Sequence, residues 1–374
     1  MRIFNLTIAG CIILFTACSP SKESKLAKLE EAAEEIRKTT VPDRRVGVFQ
    51  FNKDEDGNIT SFETDHPTAA RRVDSLLKAY SYVEIPVITL PDPSLGDSLY
   101  AIVRVGVANL RGQPRHGAEL VDQVVMGSPL RILKRQGNWI FIQTSYRYLG
   151  WMTPESVIIT DATGFKAWEN KPKVQVQNVS SNIYEKMDLS SLRLSDLSMN
   201  AIVAFRADRG SWSEIELADG RVGFIPSSHV GIPTSIDQKV PDGWQITRTA
   251  LRFHGIPYLW GGNSSRGFDC SGYTQTVYAA NGYQLPRDAN MQVELGVNVP
   301  FDSTFGNVLP GDLLFFGEND RITHVAISMG GPQFIHASTY VMMNSLDPSD
   351  EDYTAYRRNT LKRIKRLQTN QENL

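Results

Sequence analysis

The sequence predicts an α+β protein in which two small all-β domains precede a C-terminal domain of mixed helices and strands. Three observations support this fold class. A strand-turn-strand pattern occurs twice in the middle of the chain, helical spacing and an apolar hairpin follow from Val240 onward, and a short unit with both kinds of element comes first. A chain of 374 residues is long enough for several domains that each bury a core.

The composition excludes two classes of function. The formal net charge is −2, so the chain has no broad basic field with which to hold nucleic acid. Its three cysteines, Cys11, Cys18 and Cys270, are too few for a zinc ribbon or a disulfide framework. We therefore expect no nucleic-acid partner.

The N-terminus has the features of an export signal. Arg2 precedes a short apolar run, residues 6–15, which cannot span a bilayer, and small residues then lead to Cys18. This order resembles the lipoprotein box of bacteria, which implies cleavage of residues 1–17 and a lipid thioether on Cys18. The alternative is an ordinary signal peptide that happens to contain a cysteine. Residues 18–43, rich in charge and in helix formers, are predicted to be a tether.

Residues 44–97 predict a small α+β unit followed by a linker. The stretch from Val46 to Phe51 alternates as a strand does, and Asp56-Gly57 is a turn signal before a second strand. Apolar residues then follow helical spacing from Thr68 to Tyr80. No residue of this unit suggests chemistry.

An internal repeat predicts two barrels. Residues 137–152 align with residues 210–225 at a constant offset of 73 without a gap. The matched pairs include Gly137/Gly210, Trp139/Trp212, Gly150/Gly223, Trp151/Phe224 and Val157/Val230. Each copy predicts a strand, a tight turn and a second strand, and the pattern resembles bacterial SH3-like barrels over residues 98–160 and 165–235. The alternative to a binding role is that the barrels only hold or position another part of the protein.

Cys270 is the centre of the C-terminal segment. Helical spacing follows it as far as Asn281-Gly282, a common helix stop, and Asp269 is placed to be the N-cap. In the first turn of a helix, the N-terminus favours thiolate over thiol and offers N–H groups to a developing oxyanion. The alternative is an inert buried cysteine.

Two histidines downstream are predicted to share one face of a hairpin. His324 and His336 lie on strand candidates separated by a glycine turn, and a hairpin centred on Gly330 places them directly opposite each other. Opposed residues have Cβ atoms about 4.5–5.5 Å apart, so one histidine can orient the other. With the thiol, they form the nucleophile, base and orienting group that covalent catalysis needs. A one-residue slip would place one histidine on the opposite face.

These residues carry a resemblance to the NlpC/P60 family of cell-wall cysteine peptidases. The matching blocks, in the family's order, are Tyr258-x-Trp-Gly-Gly, Phe268-Asp-Cys-Ser-Gly, Leu285-Pro-Arg-Asp, Gly311-Asp-Leu-Leu-Phe-Phe, His324-Val-Ala-Ile and Phe334-Ile-His-Ala. The resemblance implies a papain-like cysteine peptidase domain over residues 240–374. It also implies that Cys270 is the nucleophile, His324 the base, His336 the orienting residue and Tyr258 a group that binds the oxyanion or positions the sulfur. It implies no metal and no organic cofactor.

Two SH3-like barrels before such a domain resemble the γ-D-glutamyl-L-diamino acid endopeptidase branch (dipeptidyl-peptidase VI type). That branch acts on murein stem peptides with a free N-terminal L-alanine, whose ammonium is held by acidic and tyrosine side chains in a cleft closed by the first barrel. By motif position, the substrate-binding residues are Glu119, Tyr148, Asp269 and Ser271, with Tyr146 as an alternative to Tyr148. The chain departs from the pattern after Pro286-Arg287. A small hydroxyl residue is expected there, but the chain has Asp288-Ala289. Either Asp288 accepts the hydrogen bond in its place, or the contact is lost.

The resemblance therefore implies a cysteine endopeptidase that cuts between γ-D-glutamate and diaminopimelate or lysine in cell-wall peptide turnover or recycling. Two alternatives stay open: a lytic D,L-endopeptidase on intact peptidoglycan, and a wall-binding lipoprotein whose papain-like domain is idle. In each case we expect an exported protein that is lipid-anchored through Cys18 in a bacterial cell envelope, at the outer membrane or a membrane facing the periplasm. The sequence leaves the diamino acid preference and the oligomeric state open.

Overall fold

The computed structural model describes residues 22–82, 84–236 and 239–368. Contacts group the described residues into two units, one within Met1–Arg44 and Val48–Thr89 and the other within Arg45–Gly47 and Leu90–Leu374. The predicted signal segment, residues 1–17, and the predicted lipid site, Cys18, lie outside the described residues. Within the described ranges, no helix combines the length and the apolar character needed to cross a membrane.

The first unit is a three-stranded sheet with two helices. Its elements are α1 (Lys22–Thr40), β1 (Phe49–Lys53), β2 (Ile59–Thr64), α2 (Pro67–Ala79) and β3 (Val87–Thr89). In the sheet, β1 is antiparallel to the central strand β2, and β3 is parallel to it. Phe62 of β2 packs with Val73 and Leu77 of α2 in one buried cluster.

The structure differs from the predicted tether over residues 18–43. Leu29, Ala33 and Ile36 recur at helical spacing on α1, and all three are buried in the same cluster as α2. The apolar stripe is narrow, but it is enough to bury one face of the helix, while pairs such as Arg37 with Glu34 occupy the other face. Residues 22–40 are therefore part of the first folded unit rather than a spacer.

The second unit begins with a seven-stranded sheet. Its strands are β4 (Tyr100–Val103), β5 (Val107–Arg111), β6 (Leu120–Val125), β7 (Pro129–Gln136), β8 (Trp139–Thr144), β9 (Leu149–Met152) and β10 (Val157–Thr160). The strand order is β10-β4-β7-β8-β9-β5-β6. Short 3-10 helices lie at Pro93–Leu95 and Pro154–Ser156, and α3 (Ala162–Glu169) leads out of the sheet.

A second seven-stranded sheet repeats the first strand for strand. Its members are β11 (Lys173–Val176), β12 (Ser180–Tyr184), β13 (Arg193–Ser198), β14 (Ile202–Arg209), β15 (Trp212–Glu216), β16 (Val222–Pro226) and β17 (Val230–Gly231), with a 3-10 helix at Ser227–His229. The order β13-β12-β16-β15-β14-β11-β17 is that of the first sheet in reverse. Gly150 and Gly223 show how closely the copies agree. A Cβ on Gly150 would lie 2.9 Å from Leu110, and one on Gly223 would lie 2.6 Å from Ile183.

The C-terminal part combines helices with a six-stranded sheet. Its elements are α4 (Gly243–Leu251), β18 (Asn263–Ser264), β19 (Gly267–Phe268), α5 (Cys270–Ala280), α6 (Ala289–Gln292), β20 (Val297–Asn298), β21 (Leu313–Glu318), β22 (Arg321–Gly330), β23 (Gln333–Ala337), β24 (Val341–Ser345), α7 (Ala355–Thr360) and β25 (Leu361–Arg366). The sheet order is β20-β25-β21-β22-β23-β24, and its paired strands are antiparallel. Helix α5 packs against β22 and β23, so the start of this helix faces the hairpin. The predicted α+β class is confirmed.

Candidate active site

Helix α5 begins at the cysteine. The Asp269 carboxylate accepts a 2.7 Å hydrogen bond from the amide of Gly272, so Asp269 is the N-cap and Cys270 is the first helical residue. Only glycine fits at position 272, because a Cβ there would lie 2.1 Å from the carbonyl oxygen of Gly262. Cys270 is 8% exposed, which leaves a small part of the residue open to solvent.

The β22–β23 hairpin carries both histidines in a register that differs from the predicted one. Ile327 pairs with Ile335, whereas a hairpin centred on Gly330 would have paired it with residue 333. The pairing shifts next to the turn, where Gly330 has a φ of 101°. The histidines are therefore diagonal neighbours and not direct opposites. Because the net displacement is two residues, His324 and His336 still share a face.

A chain of hydrogen bonds runs from His324 through His336 to Asn344. The Nε2 atom of His324 lies 2.7 Å from Nδ1 of His336, and Nε2 of His336 lies 2.9 Å from Oδ1 of Asn344. The Nδ2 atom of Asn344 donates to the carbonyl oxygen of Asp352 at 2.9 Å. A carbonyl oxygen only accepts, so this last contact fixes the orientation of the Asn344 amide and makes Oδ1 the acceptor for His336.

The direction of these bonds assigns the tautomers of both neutral rings. His336 carries its proton on Nε2, so its Nδ1 accepts from the Nε2–H of His324. The Nδ1 atom of His324 is then the unprotonated nitrogen. His324 lies on β22, the strand against which the cysteine helix packs, and the amide of the next residue, Val325, lowers the pKa of the Cys270 thiol.

At rest, the site holds a neutral thiol and neutral imidazoles. Burial and then the charge of Asp269 raise the pKa of the Cys270 thiol to about 12, although the amide of Val325 lowers it. Burial also depresses the pKa of His324 well below its usual range and that of His336 to about 4. The predicted preference for thiolate at the helix N-terminus is thus outweighed by burial. The thiol proton has to move as the sulfur attacks.

Tyr258 lies beside the nucleophile. Its amide donates to the carbonyl oxygen of Thr339 at 3.0 Å, and its backbone forms a bridge with Phe268 just before the cysteine helix. Burial, followed by the charge of Cys270, raises the pKa of the Tyr258 hydroxyl. The hydroxyl therefore keeps its proton at neutral pH, which is the state that can donate to an oxyanion.

A buried ion cluster joins the cysteine helix to the first barrel. Arg287, which is 1% exposed, donates to Asp122 of β6 at 2.6 Å and to the two oxygens of Asp269 at 2.6 and 3.1 Å. Asp122 also accepts from the hydroxyl of Tyr146 and from Asn263. Two carboxylates thus share one guanidinium, and this arrangement fixes the N-cap of α5 against the barrel.

Asp269 and Ser271 belong to this cluster. Ser271 donates to Asp269 at 3.2 Å and accepts from Arg287 at 3.0 Å. The amide of Gly261 also donates to Asp269 at 3.1 Å. The structure therefore brings both predicted residues to the cysteine, but their polar atoms already have partners within the protein.

The other predicted substrate-binding residues come from the same junction of barrel and cysteine domain. The Tyr148 hydroxyl donates to Asp288 at 3.0 Å, and Arg45 donates to the same carboxylate at 2.7 Å. Glu119 accepts from the indole of Trp260 at 2.7 Å and has no ion-pair partner among the described residues. Both tyrosines that the sequence offered as alternatives are thus at the junction, Tyr146 on Asp122 and Tyr148 on Asp288.

Sequence reasoning missed three residues of the site. Arg287 lies in the matching block Leu285-Pro-Arg-Asp but was given no role, and Asp122 is a lone carboxylate in a barrel strand with no motif around it. The direct partner of His336 on the next strand is Met342, and Asn344 lies diagonally across from His336. The signal that could have found Asn344 is an asparagine in an otherwise apolar strand.

In the described part of the chain, no group of three or more His, Cys, Asp or Glu side chains is arranged to hold a metal ion.

Two family profiles match the chain. The profile described as the NlpC/P60 family covers residues 255–363, and the one described as the bacterial dipeptidyl-peptidase Sh3 domain covers residues 110–157. The first range contains Cys270, His324 and His336, and the second contains Glu119 and Tyr148.

Curated proteins and solved structures agree with these profiles. The chain is 30% identical over 268 residues to "Dipeptidyl-peptidase 6" of Lysinibacillus sphaericus. The alignment covers 69% of this chain and 94% of that protein. It is 30% identical over 226 residues to "Gamma-D-glutamyl-L-lysine dipeptidyl-peptidase" of Bacillus subtilis (strain 168), over 58% of this chain and 71% of that one. The crystal structure of an NlpC/P60 family protein from Bacillus cereus ATCC 10987 superposes with a TM-score of 0.62 at 22% identity, over 71% of this chain and 99% of that chain, which is a likeness of fold.

Proposed function

Because the chain belongs to the NlpC/P60 family of cysteine peptidases, we propose that it hydrolyses murein stem peptides at the bond between γ-D-glutamate and an L-diamino acid. Two relatives bear names for dipeptidyl-peptidase activity, and the name of one of them specifies γ-D-glutamyl-L-lysine. The substrate is a short peptide with a free N-terminal L-alanine. Wall-derived peptides of this kind occur in the cell envelope or outside the cell.

The observation that carries the proposal is the arrangement of Cys270 and the histidine chain. Cys270 is the first residue of a buried helix that packs against β22. The hydrogen-bond chain from Asn344 leaves Nδ1 of His324, on that strand, unprotonated. A nucleophile, a base and a group that orients the base are the parts that covalent hydrolysis of an amide requires. An idle papain-like domain would not need this order.

The reaction begins with proton transfer from the Cys270 thiol to Nδ1 of His324. The sulfur forms a bond to the γ-carbonyl carbon of glutamate, and the carbonyl electron pair moves to oxygen. The first amides of α5 and the Tyr258 hydroxyl donate to this oxyanion. His336 accepts from the far side of the His324 ring and stabilises the imidazolium that forms.

The intermediate then collapses toward products. His324 gives its proton to the α-nitrogen of the diamino acid, the C–N bond breaks, and a thioester with Cys270 remains. A water molecule loses one proton to the same nitrogen of His324, and its oxygen attacks the thioester carbonyl. The C–S bond breaks, and the γ-glutamyl carboxylic acid leaves and loses its remaining proton to solvent. The sulfur regains its proton from His324, so the enzyme returns to its starting state.

The charges at the junction support selection for a free amine. Of the described residues, Glu119, Asp122, Asp269 and Asp288 contribute carboxylates to this junction. Arg45 pairs with Asp288, Arg287 pairs with Asp122 and Asp269, and Glu119 has no ion-pair partner among them. A cation that enters this region compensates an excess of negative charge. The free-energy cost of burying a cation is therefore lower here than at a site without carboxylates. An acylated amine has no charge to offer and adds volume, so it binds poorly.

The experiment that tests the proposal compares a soluble peptide with intact wall. Purified protein is incubated with L-Ala-γ-D-Glu-L-Lys or its diaminopimelate analogue, and the products are identified by mass spectrometry. We expect L-Ala-D-Glu and the free diamino acid from the peptide, with no loss of turbidity from sacculi. Clearing of sacculi would favour the lytic endopeptidase, and binding to sacculi without cleavage of either substrate would favour the idle wall-binding protein.

Replacement of Asn344 tests the histidine chain. Asn344→Leu removes the acceptor that fixes the tautomer of His336, so we expect kcat to fall about tenfold to hundredfold with little change in KM. In ¹⁵N NMR of the wild-type protein at pH 7, both neutral rings are expected to carry the proton on Nε2, and Asn344→Leu is expected to lose this signature at His336. Asn344→Asp restores an acceptor and is expected to recover part of kcat. Unchanged tautomers and kcat in Asn344→Leu would contradict the role.

We also propose that the mature protein is anchored through a lipid on Cys18, as its lipoprotein-like leader implies. The relatives are cell-wall peptidases, and an anchor would hold the enzyme where wall peptides are released. Incorporation of labelled palmitate into the wild-type protein but not into Cys18→Ser tests the anchor separately from the activity.

A further inference from the structure

Two neighbouring arginines on α7 lie in different surroundings. The guanidinium of Arg357 lies over the ring of Phe316 at 5.5 Å, and the Phe316 ring lies 5.8 Å from the ring of His324. The guanidinium of Arg358 lies instead over Phe305 at 4.6 Å and donates to the carbonyl oxygen of Leu346 at 3.4 Å. Arg357 and His324 thus both lie near the Phe316 ring, whereas Arg358 packs elsewhere.

Arg357 is half-buried and lacks an anion. No carboxylate or carbonyl oxygen of the described residues accepts a hydrogen bond from it or pairs with it. Its charge nevertheless acts on Cys270, Tyr258, His324 and His336, the groups that form the site. Burial depresses the pKa of Arg357. Its guanidinium packs on the rings of Phe316 and Tyr356 and has no carboxylate partner among the described residues, so it can pair with an anion that arrives from outside.

The chemistry places the leaving group on this side of the sulfur. His324 has to protonate the nitrogen of the diamino acid, so that residue must lie next to the imidazole when the C–N bond breaks. The proposed function places the γ-glutamyl part toward Asp269 and the barrel junction, where carboxylates are held by Arg287 and Tyr148. Arg357 is therefore a cation on the leaving-group side of a site whose other side is acidic.

We propose that Arg357 binds a carboxylate of the departing diamino acid and so makes the enzyme selective for peptides that carry a carboxylate there. The inference rests on the proposed function, since it names a feature of the same substrate. Two carboxylates have this chemistry, the α-carboxylate of a C-terminal diamino acid and the additional side-chain carboxylate of diaminopimelate. Guanidinium and carboxylate match in shape and can form two parallel hydrogen bonds.

The test measures kcat/KM of the full chain on three peptides. They are L-Ala-γ-D-Glu-L-Lys, its C-terminal amide, and L-Ala-γ-D-Glu-meso-diaminopimelate. If the α-carboxylate is the ligand, the wild type is expected to cleave the lysine peptide about tenfold faster than its amide. If the side-chain carboxylate is the ligand, amidation has little effect and the diaminopimelate peptide is cleaved about tenfold faster than the lysine peptide. Either preference is expected to vanish in Arg357→Met and to survive in Arg358→Met, the matched control.

Three outcomes would overturn the inference. In the first, Arg357→Met slows all three peptides by one common factor, which indicates a structural role. In the second, the wild type prefers neither the lysine peptide over its amide nor the diaminopimelate peptide over the lysine peptide. This result does not depend on whether any variant folds. In the third, Arg358→Met removes the preference as fully as Arg357→Met does. Failure of the wild type to cleave any of the peptides would overturn the proposed function itself, whereas cleavage without preference would leave that function intact.

Discussion

The Cys270→Ala protein is expected to fold and to hydrolyse the γ-D-glutamyl bond at least about 10⁴-fold more slowly than the wild type. The thioester cannot form without the sulfur, and His324 has no other acidic proton to take in that position. Alanine is a good residue for the first turn of α5, and the Asp269 cap does not depend on the thiol. Initial rates of diamino acid release, measured beside a urea unfolding curve, separate lost chemistry from lost fold. Activity within tenfold of the wild type would show that another residue is the nucleophile.

The same substitution has a signature in the pH dependence of stability. The folded-state pKa of Cys270, about 12, is above the ordinary thiol value of 9.0. A raised folded-state pKa gives stability that is present below the ordinary value and is lost as pH rises from about 9 toward 12. Between pH 8 and pH 10, the free energy of unfolding of the wild type is expected to fall by roughly 1–2 kcal/mol more than that of Cys270→Ala. Parallel losses in the two proteins would mean that the thiol is not buried as described.

Arg287→Met is expected to cost about 3–5 kcal/mol of stability at pH 7 and most of the activity. Arg287 is 1% exposed, and its removal leaves Asp122 and Asp269 buried without their shared cation. The loss of activity follows because Asp269 caps the cysteine helix and would no longer be held against the barrel. Urea unfolding monitored by tryptophan fluorescence measures the first effect, and peptide cleavage measures the second.

Two comparisons make the Arg287 prediction specific. The exposed pair Arg209 with Glu214 serves as a matched control, and Arg209→Met is expected to cost less than about 1 kcal/mol. Burial already raises the pKa of Asp122, and without the guanidinium its protonated form is favoured further, so the destabilisation is expected to grow as pH rises from 5 to 8. Adding Asp122→Asn to Arg287→Met is expected to recover part of the stability. A loss no larger than that of Arg209→Met would contradict the buried cluster.

The nucleophile and the histidines were predictable because local rules place them. Asp269 is a capping residue directly before a helical pattern, which put Cys270 in the first turn. The predicted hairpin register put both histidines on one face of the sheet. The true register differs by two residues, and because side chains alternate with period two, both histidines stay on that face. The error itself arose from consecutive glycines, which allow the turn to begin at more than one residue.

Other features depend on contacts that no local pattern encodes. Asp122 and Arg287 are far apart in the chain, and only the docking of the first barrel on the cysteine domain brings them together. Arg357 of helix α7 lies near the site because its guanidinium packs on Phe316 of β21. Helix α1 was underestimated because its narrow apolar stripe, at Leu29 and Ala33, is sufficient only when α2 is there to cover it.

The central claim is that the acidic junction admits short murein peptides through their free N-terminal amine. The most direct measurement is the ratio of kcat/KM for L-Ala-γ-D-Glu-L-Lys to that for its N-acetylated form, with the wild-type enzyme at pH 7. A site that compensates a buried ammonium discriminates strongly against an uncharged analogue, so the ratio is expected to be at least about 10³. Cleavage of both peptides at similar rates would contradict the claim.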